Sequence, residues 1–306
     1  MSGEASPRAL SPWDNRDLAA LLRLQPIGSS TFRSRYASPN ARGTVFGGQL
    51  LAHALMAASM TAPPGRDVTA MQFMFLQSAT PERPIDYEVT TLQDGKRFAS
   101  RHVRGTQASD TSACLRVVLD AQVTFAVALP GPEHATPSRV DDVDPQALPR
   151  LEDLPAELAD AVWRTLGYPF DSTALDLRVA DPAYGLGLSS PTPTLRFWLR
   201  TRDPLPDDPA LQAAAFAYLS DWWLNFAAVG IHVPQLDRDG ERLHVASLNH
   251  AIWFHRPLRA DRWLYFDVQS PCAARGRGLS VASVYDVDGV LVASATQESL
   301  TTPGGI

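Results

Sequence analysis

The stretch MQFMF at positions 71–75 returns as HAIWF at positions 250–254, and IDYEV at positions 85–89 returns as LYFDV at positions 264–268. The offset is a constant 179 residues (254 less 75, and 264 less 85). Both copies are apolar or alternating, and both are interrupted by a turn that contains proline and arginine. This pattern predicts a repeated strand–turn–strand unit. We therefore expect two similar domains in one chain, packed as an internal pseudo-dimer.

Size and charge agree with this organisation. The chain has 306 residues, 45% hydrophobic and 20% charged, which is enough for two soluble domains of about 120–150 residues each. The formal net charge is −6, which disfavours nonspecific binding to nucleic acid. We expect no nucleic-acid partner, and an anionic ligand would need a local group of basic residues.

The sequence shows no recognisable targeting signal. No basic flank with an apolar core occurs in residues 1–30, and no apolar run is long enough for a membrane helix. The final residues TPGGI carry no peroxisomal address. Cys114 and Cys272 lie in strand-like segments and are interpreted as small buried hydrophobes of a reducing compartment. We expect a cytoplasmic protein with no membrane partner.

Each half is expected to hold one central helix followed by a run of antiparallel strands, an α+β pattern. The helices are predicted at about 46–60 and 209–229. The domains are predicted at 15–130 and 171–302, joined by a Pro- and Asp-rich linker at 131–170 with a short helix near 155–163. The main strands are predicted near 32–36, 69–77, 85–93, 97–107, 112–128, 173–179, 194–200, 243–256, 262–271, 277–287 and 290–301.

Asp221 is the first candidate for chemistry. The predicted helix places it in mid-helix among alanine, tyrosine and tryptophan side chains. Burying a carboxylate there costs stability unless partners are supplied, so it is either functional or an edge residue paired with an arginine or with solvent.

Ser247 and Gln297 are weaker candidates on their own. Strict alternation places Ser247 on one face of its strand with Asn249 and Trp253, and His250 on the other. No G-x-S-x-G turn surrounds Ser247, so a hydrolase nucleophile is not indicated. Gln297 lies on the last strand and could equally be a structural amide.

Two further features concern ligands. Gly47 and Gly48 open the first central helix, whose free N–H groups could stabilise an oxyanion, with Gly48 the candidate. The second half concentrates arginines, and Arg256, Arg275 and Arg277 are candidates for binding phosphates; solvated strand ends are the alternative. The sequence contains no metal-binding motif and no phosphate-binding loop of the Walker type, so we expect no metal and no cofactor.

Four segments together resemble the type II acyl-CoA thioesterases (TesB-like). They are VFGGQ at 45–49, SD at 220–221, NHAIWFHRP at 249–257 and LVASATQE at 291–298, and the resemblance extends from about 22 to 300. It implies a double hotdog fold, in which an antiparallel sheet wraps one central helix in each half. The family's catalytic Asp, Thr or Ser, and Gln match Asp221, Ser247 and Gln297. Asn249, where the family commonly has Asp, and Trp222–Trp223 depart from the pattern.

The resemblance further implies hydrolysis of acyl-CoA to a fatty acid and CoA, by a water molecule that the Asp/Ser/Gln set activates. It also implies a homo-oligomer of double-hotdog protomers. Two alternatives remain open. One is an acyl-CoA or acyl-carrier-protein binding module without hydrolysis. The other is a hotdog hydratase or dehydratase, which the absence of an Asp-x-x-x-x-His pattern after the central helices disfavours.

Overall fold

The computed structural model describes residues 10–109, 114–137, 143–150, 173–179, 192–239 and 243–303, with single positions at 153, 155 and 156. Most of the helix predicted near 155–163 lies outside these residues. The helices and strands of the described first half are α1 and α2, and β1 to β8. They are β1 Ser11–Pro12, α1 Leu18–Leu22, β2 Gln25–Pro26, β3 Thr31–Arg33, β4 Tyr36–Ala37, α2 Gly47–Ser59, β5 Asp67–Phe75, β6 Ile85–Asp94, β7 Phe98–Ala108 and β8 Leu115–Ala126.

The described second half holds α3 to α5 and β9 to β14, with short 3₁₀ turns at Pro145–Ala147 and Gly230–His232. Its α-helices are shorter than the one central helix that the sequence predicted. The elements are β9 Leu175–Arg178, β10 Thr194–Thr201, α3 Pro209–Ser220, α4 Phe226–Val229, α5 Val233–Asp239, β11 Leu243–Phe254, β12 Leu264–Ala274, β13 Arg277–Tyr285 and β14 Leu291–Pro303.

Twelve strands form one antiparallel sheet in the order β2-β3-β6-β7-β8-β5-β11-β14-β13-β12-β10-β9. The strand order on one side of the β5–β11 junction mirrors the order on the other. The repeated segments meet at this junction, where Met71 is opposite Ile252 and Phe73 is opposite His250. The predicted duplication is confirmed: the first copy forms β5 and β6, and the second copy forms β11 and β12.

The two central helices lie side by side on the concave face of the sheet. Helix α2 is buried along nearly its whole length, and α3 from Leu211 onward is buried on every side. This explains why both helices are rich in alanine and leucine all round rather than along one stripe. Such a pair of helices, each wrapped by half of a continuous antiparallel sheet, is the double hotdog fold that the sequence predicted.

The single helix predicted at 209–229 is wrong. Helix α3 ends at Ser220, Asp221 is its C-terminal cap, and the chain turns through Trp223 before α4 begins. Trp223 has a φ of 66°, which is rare for a bulky residue. Residues 210–229 contain neither glycine nor proline, so the sequence carried no signal for this break. Burial of the Trp223 ring against Phe197 holds the turn in place.

Two other expectations can be compared with the structure. Both cysteines are free and exposed, so the interpretation of Cys114 and Cys272 as buried hydrophobes is wrong. No helix in the described part of the chain has the length and apolar character needed to cross a membrane.

Candidate active site

A cavity of about 470 Å³ opens where the two halves meet. Its walls come from the loop before α2, the first turn of α2, the end of β5, the segment after α3 and the first half of β11. The segment between α3 and β11 is long: it has 22 residues (221–242), whereas the segment between α2 and β5 has seven (60–66). One wall of the cavity therefore comes from a segment that is longer in the second half than its counterpart in the first. Apolar lining residues include Leu50, Phe75, Trp222, Phe226, Val229 and Val245.

Asp221, Ser247 and Gln297 come together at this cavity. The amide nitrogen Nε2 of Gln297 donates to Asp221 Oδ1 and to Ser247 Oγ, both at 2.7 Å. Asp221 and Ser247 line the cavity, and Gln297 is fully buried behind them. Because Ser247 Oγ accepts the hydrogen bond from Gln297, its own hydroxyl hydrogen stays available for another acceptor.

The face predicted for Ser247 is wrong. Ser247 pairs with Ser299 and Asn249 pairs with Glu298, so Leu248 is an extra residue that forms a β-bulge. The bulge reverses the alternation and turns Ser247 toward the helices, on the same face as His250. Asn249 points to the outer face, where its Nδ2 donates to Glu298 Oε2 at 3.0 Å. The departure from the family pattern at Asn249 therefore lies on the face opposite to Asp221, Ser247 and Gln297.

The environment of Asp221 raises the pKa of its carboxyl group to about 7, mainly because burial penalises the charged form. Hydrogen bonds from Gln297 and from the backbone N–H of Gly48 act in the opposite direction. The position at the C-terminal end of α3 also disfavours a negative charge, whereas the N-terminus of α2 favours one. A carboxyl group with a pKa near neutrality is well suited to accept and return a proton.

The glycine pair at the start of α2 permits the close approach of the two halves. A Cβ atom on Gly47 would lie 2.5 Å from Asp221 Oδ2, and a Cβ atom on Gly48 would lie 2.6 Å from the carbonyl oxygen of Tyr218. The N–H of Gly48 donates to the Asp221 carboxylate. In this structure Gly48 thus holds the carboxylate, and its oxyanion role stays a prediction.

The three candidate arginines do not form one cluster. Arg256 follows the far end of β11 from Ser247 and pairs with Glu133 at 2.9 Å. Arg275 lies in the tight turn between β12 and β13, with a φ of 54°. Arg277 pairs with Glu298 at 3.2 Å, on the outer face that also carries the Asn249 contact. None of them lines the cavity, and their phosphate-binding role stays a prediction.

His250 is a buried neighbour of the site that the sequence pattern did not single out. Its Nε2 lies 3.0 Å from Ser220 Oγ, which donates to the carbonyl oxygen of Ala217. Burial lowers the pKa of His250 to about 3, so the ring is neutral. The pair supports the end of α3 directly beside Asp221. In the described residues, no group of three or more His, Cys, Asp or Glu side chains is arranged to hold a metal ion.

The fold and the site define a double-hotdog protein that carries an acid, a hydroxyl and an amide at the junction of its halves. Family models for the acyl-CoA thioesterase N-terminal domain and C-terminal domain match residues 36–126 and 142–301. The chain belongs to the type II (TesB-like) acyl-CoA thioesterase family.

Individual relatives are similar to this chain along nearly its whole length. Acyl-CoA thioesterase 2 of Haemophilus influenzae is 29% identical, covering 93% of this chain and 96% of the relative. Human acyl-coenzyme A thioesterase 8 is 27% identical, covering 94% and 90%. The crystal structure of TesB2, an acyl-CoA thioesterase II from Mycobacterium marinum, superposes with a TM-score of 0.73 at 30% identity, covering 94% and 98%.

Proposed function

We propose that this protein hydrolyses acyl-CoA thioesters to a free fatty acid and CoA, with Asp221, Ser247 and Gln297 as the catalytic set. The observation that carries the proposal is the Gln297 amide, which joins Asp221 and Ser247 at the wall of a cavity lined by both polar and apolar residues. Membership of the thioesterase family supports the substrate class.

The chemistry follows from the positions of these groups. A water molecule beside Asp221 loses a proton to the carboxylate as its oxygen bonds to the thioester carbonyl carbon. The hydroxyl of Ser247 orients that water, and Gln297 holds both side chains in place. The tetrahedral intermediate then breaks its carbon–sulfur bond, and the thiolate takes up the proton from Asp221. General-base help of this kind contributes on the order of 10²–10⁴-fold.

The site favours this chemistry over a hydratase or dehydratase reaction. Those reactions need an acid and a histidine that act on the same substrate. His250, the buried histidine beside the end of α3, contacts Ser220 instead. His250 is fully buried and is not among the residues that line the cavity.

The test is steady release of thiol from acyl-CoA by the purified protein and by Asp221→Asn. We expect turnover by the wild-type chain and a kcat at least about 10²-fold lower for Asp221→Asn, with the fold intact. Ser247→Ala and Gln297→Ala should each lower kcat, and less than additively with Asp221→Asn because the three groups act on one water.

Two outcomes would contradict the proposal. Binding of acyl-CoA without thiol release would indicate the binding module. Near-normal turnover by Asp221→Asn would mean that another group is the base.

A further inference from the structure

The rim of the cavity is a five-residue turn fastened by one side chain. Asn40 Oδ1 accepts the backbone N–H groups of Arg42 at 2.9 Å and Thr44 at 3.2 Å, and Asn40 Nδ2 donates to Thr44 Oγ1 at 2.9 Å. Gly43 supplies a φ of 74° that the turn requires. The turn therefore holds its exposed apex, which includes Arg42, in a defined place.

Arg42 is the one lysine or arginine among the residues that line the cavity. It is exposed, and no carboxylate in the described part of the chain pairs with it. The other charged lining residue is Asp221. In a chain of net charge −6, an unpaired cation at the mouth is the feature that would attract an anionic group there.

The rim turn lies close in sequence to the glycine that packs against Asp221. Arg42 is five positions before Gly47, which lies against Asp221, so the Cα atoms of Arg42 and Gly47 are at most about 18 Å apart. A thioester held beside Asp221 therefore has Arg42 within reach of an extended thiol arm. Polar residues that line the cavity include Asn40, Thr44, Gln77, Ser78 and His244.

We infer that Arg42 binds a phosphate group of the thiol carrier and so makes the enzyme prefer thioesters of a phosphate-bearing carrier. The inference rests on the proposed function, because it takes the substrate to be an acyl thioester. It assigns to the rim turn a role that the sequence had suggested for Arg256, Arg275 and Arg277. A guanidinium group binds phosphate through paired, charge-assisted hydrogen bonds.

The experiment compares the same acyl group on coenzyme A, on pantetheine phosphate and on pantetheine. Arg42→Ala should raise KM about tenfold for the two phosphate-bearing substrates, with kcat unchanged, and leave acyl-pantetheine unaffected. Arg42→Lys should recover part of the loss, since it keeps the charge. Raising the salt concentration should weaken the wild-type preference for phosphate and have little effect on Arg42→Ala.

The matched control is Arg35→Ala, which removes an exposed arginine of the same segment that does not line the cavity. It should leave all three substrates unchanged. An effect of Arg42→Ala on coenzyme A alone would still support the inference and would place the contact on the nucleotide part.

Three results would overturn the inference: equal losses on all three substrates, no loss at all, or a phosphate-selective loss in Arg277→Ala or Arg275→Ala that Arg42→Ala lacks. Failure of the wild-type protein to release thiol from any substrate would instead refute the proposed function.

Discussion

Asp221 is stabilised as a neutral acid by burial and as an anion by two hydrogen bonds, and burial is the larger effect. The proposed base is active only when deprotonated. We therefore expect kcat/KM to rise about tenfold per pH unit below pH 7 and to level off above it. Hydrolysis measured from pH 5 to 9, corrected for spontaneous thioester cleavage, checks this. A flat profile between pH 5.5 and 8 would exclude Asp221 as the titrating base.

The same shift makes a prediction about stability. The pKa of Asp221 is about 7 in the folded protein, whereas in the unfolded chain the carboxyl group has its ordinary pKa of 3.8. The stabilisation by this group is complete below pH 4 and is lost as pH rises through 7, by up to about 4 kcal/mol. Asp221→Asn should therefore gain more unfolding free energy at pH 8 than at pH 5. Urea unfolding of both proteins at pH 5 and pH 8 measures this gain in unfolding free energy. An equal gain at the two pH values would contradict the raised pKa of Asp221.

At the scale of elements, the first turn of α2 and the end of α3 form a close contact that depends on Gly47. A Cβ atom at this position would also lie 2.9 Å from the Phe75 ring, so the carboxylate and the ring would both have to move. Gly47→Ala should lower kcat at least about tenfold and cost about 1–3 kcal/mol of stability, as overpacking does.

Gly131→Ala is the matched control for that variant, because nothing lies within 4 Å of its added Cβ atom. It should leave kcat and thermal unfolding close to those of the wild-type protein. A fully active Gly47→Ala enzyme would show that Asp221 tolerates displacement and that the contact is not needed for catalysis.

At the scale of the whole molecule, catalysis needs both halves. Gly48 donates to Asp221 across the junction, and β5 pairs with β11 along five residue pairs. A chain ending at residue 137 would expose the β5 edge and the α2 surface that α3 covers. We expect this half to self-associate and to be inactive, because an uncovered edge strand pairs with other chains. Light scattering and a thiol-release assay check both properties. A monomeric or active half would contradict the interdependence of the halves.

Much of this architecture could be predicted from the sequence. The repeat at 71–89 and 250–268 predicted two equivalent strand pairs, because alternation of side chains is a local property that each strand carries in its own residues. The resemblance at four short segments indicated Asp221, Ser247 and Gln297, and the structure brings Asp221 and Ser247 within hydrogen-bonding distance of Gln297.

The tertiary structure decided what a local pattern does not contain. The single extra residue Leu248 reverses the face of Ser247, and the buried Trp223 ring ends a helix that its own residues would continue. Arg42 reaches the cavity although it lies 179 residues from Asp221 in sequence (221 less 42). The physical reason is the same in each instance. Bulges, helix ends and the pKa of a buried carboxyl group depend on what packs against them, and those partners come from distant parts of the chain.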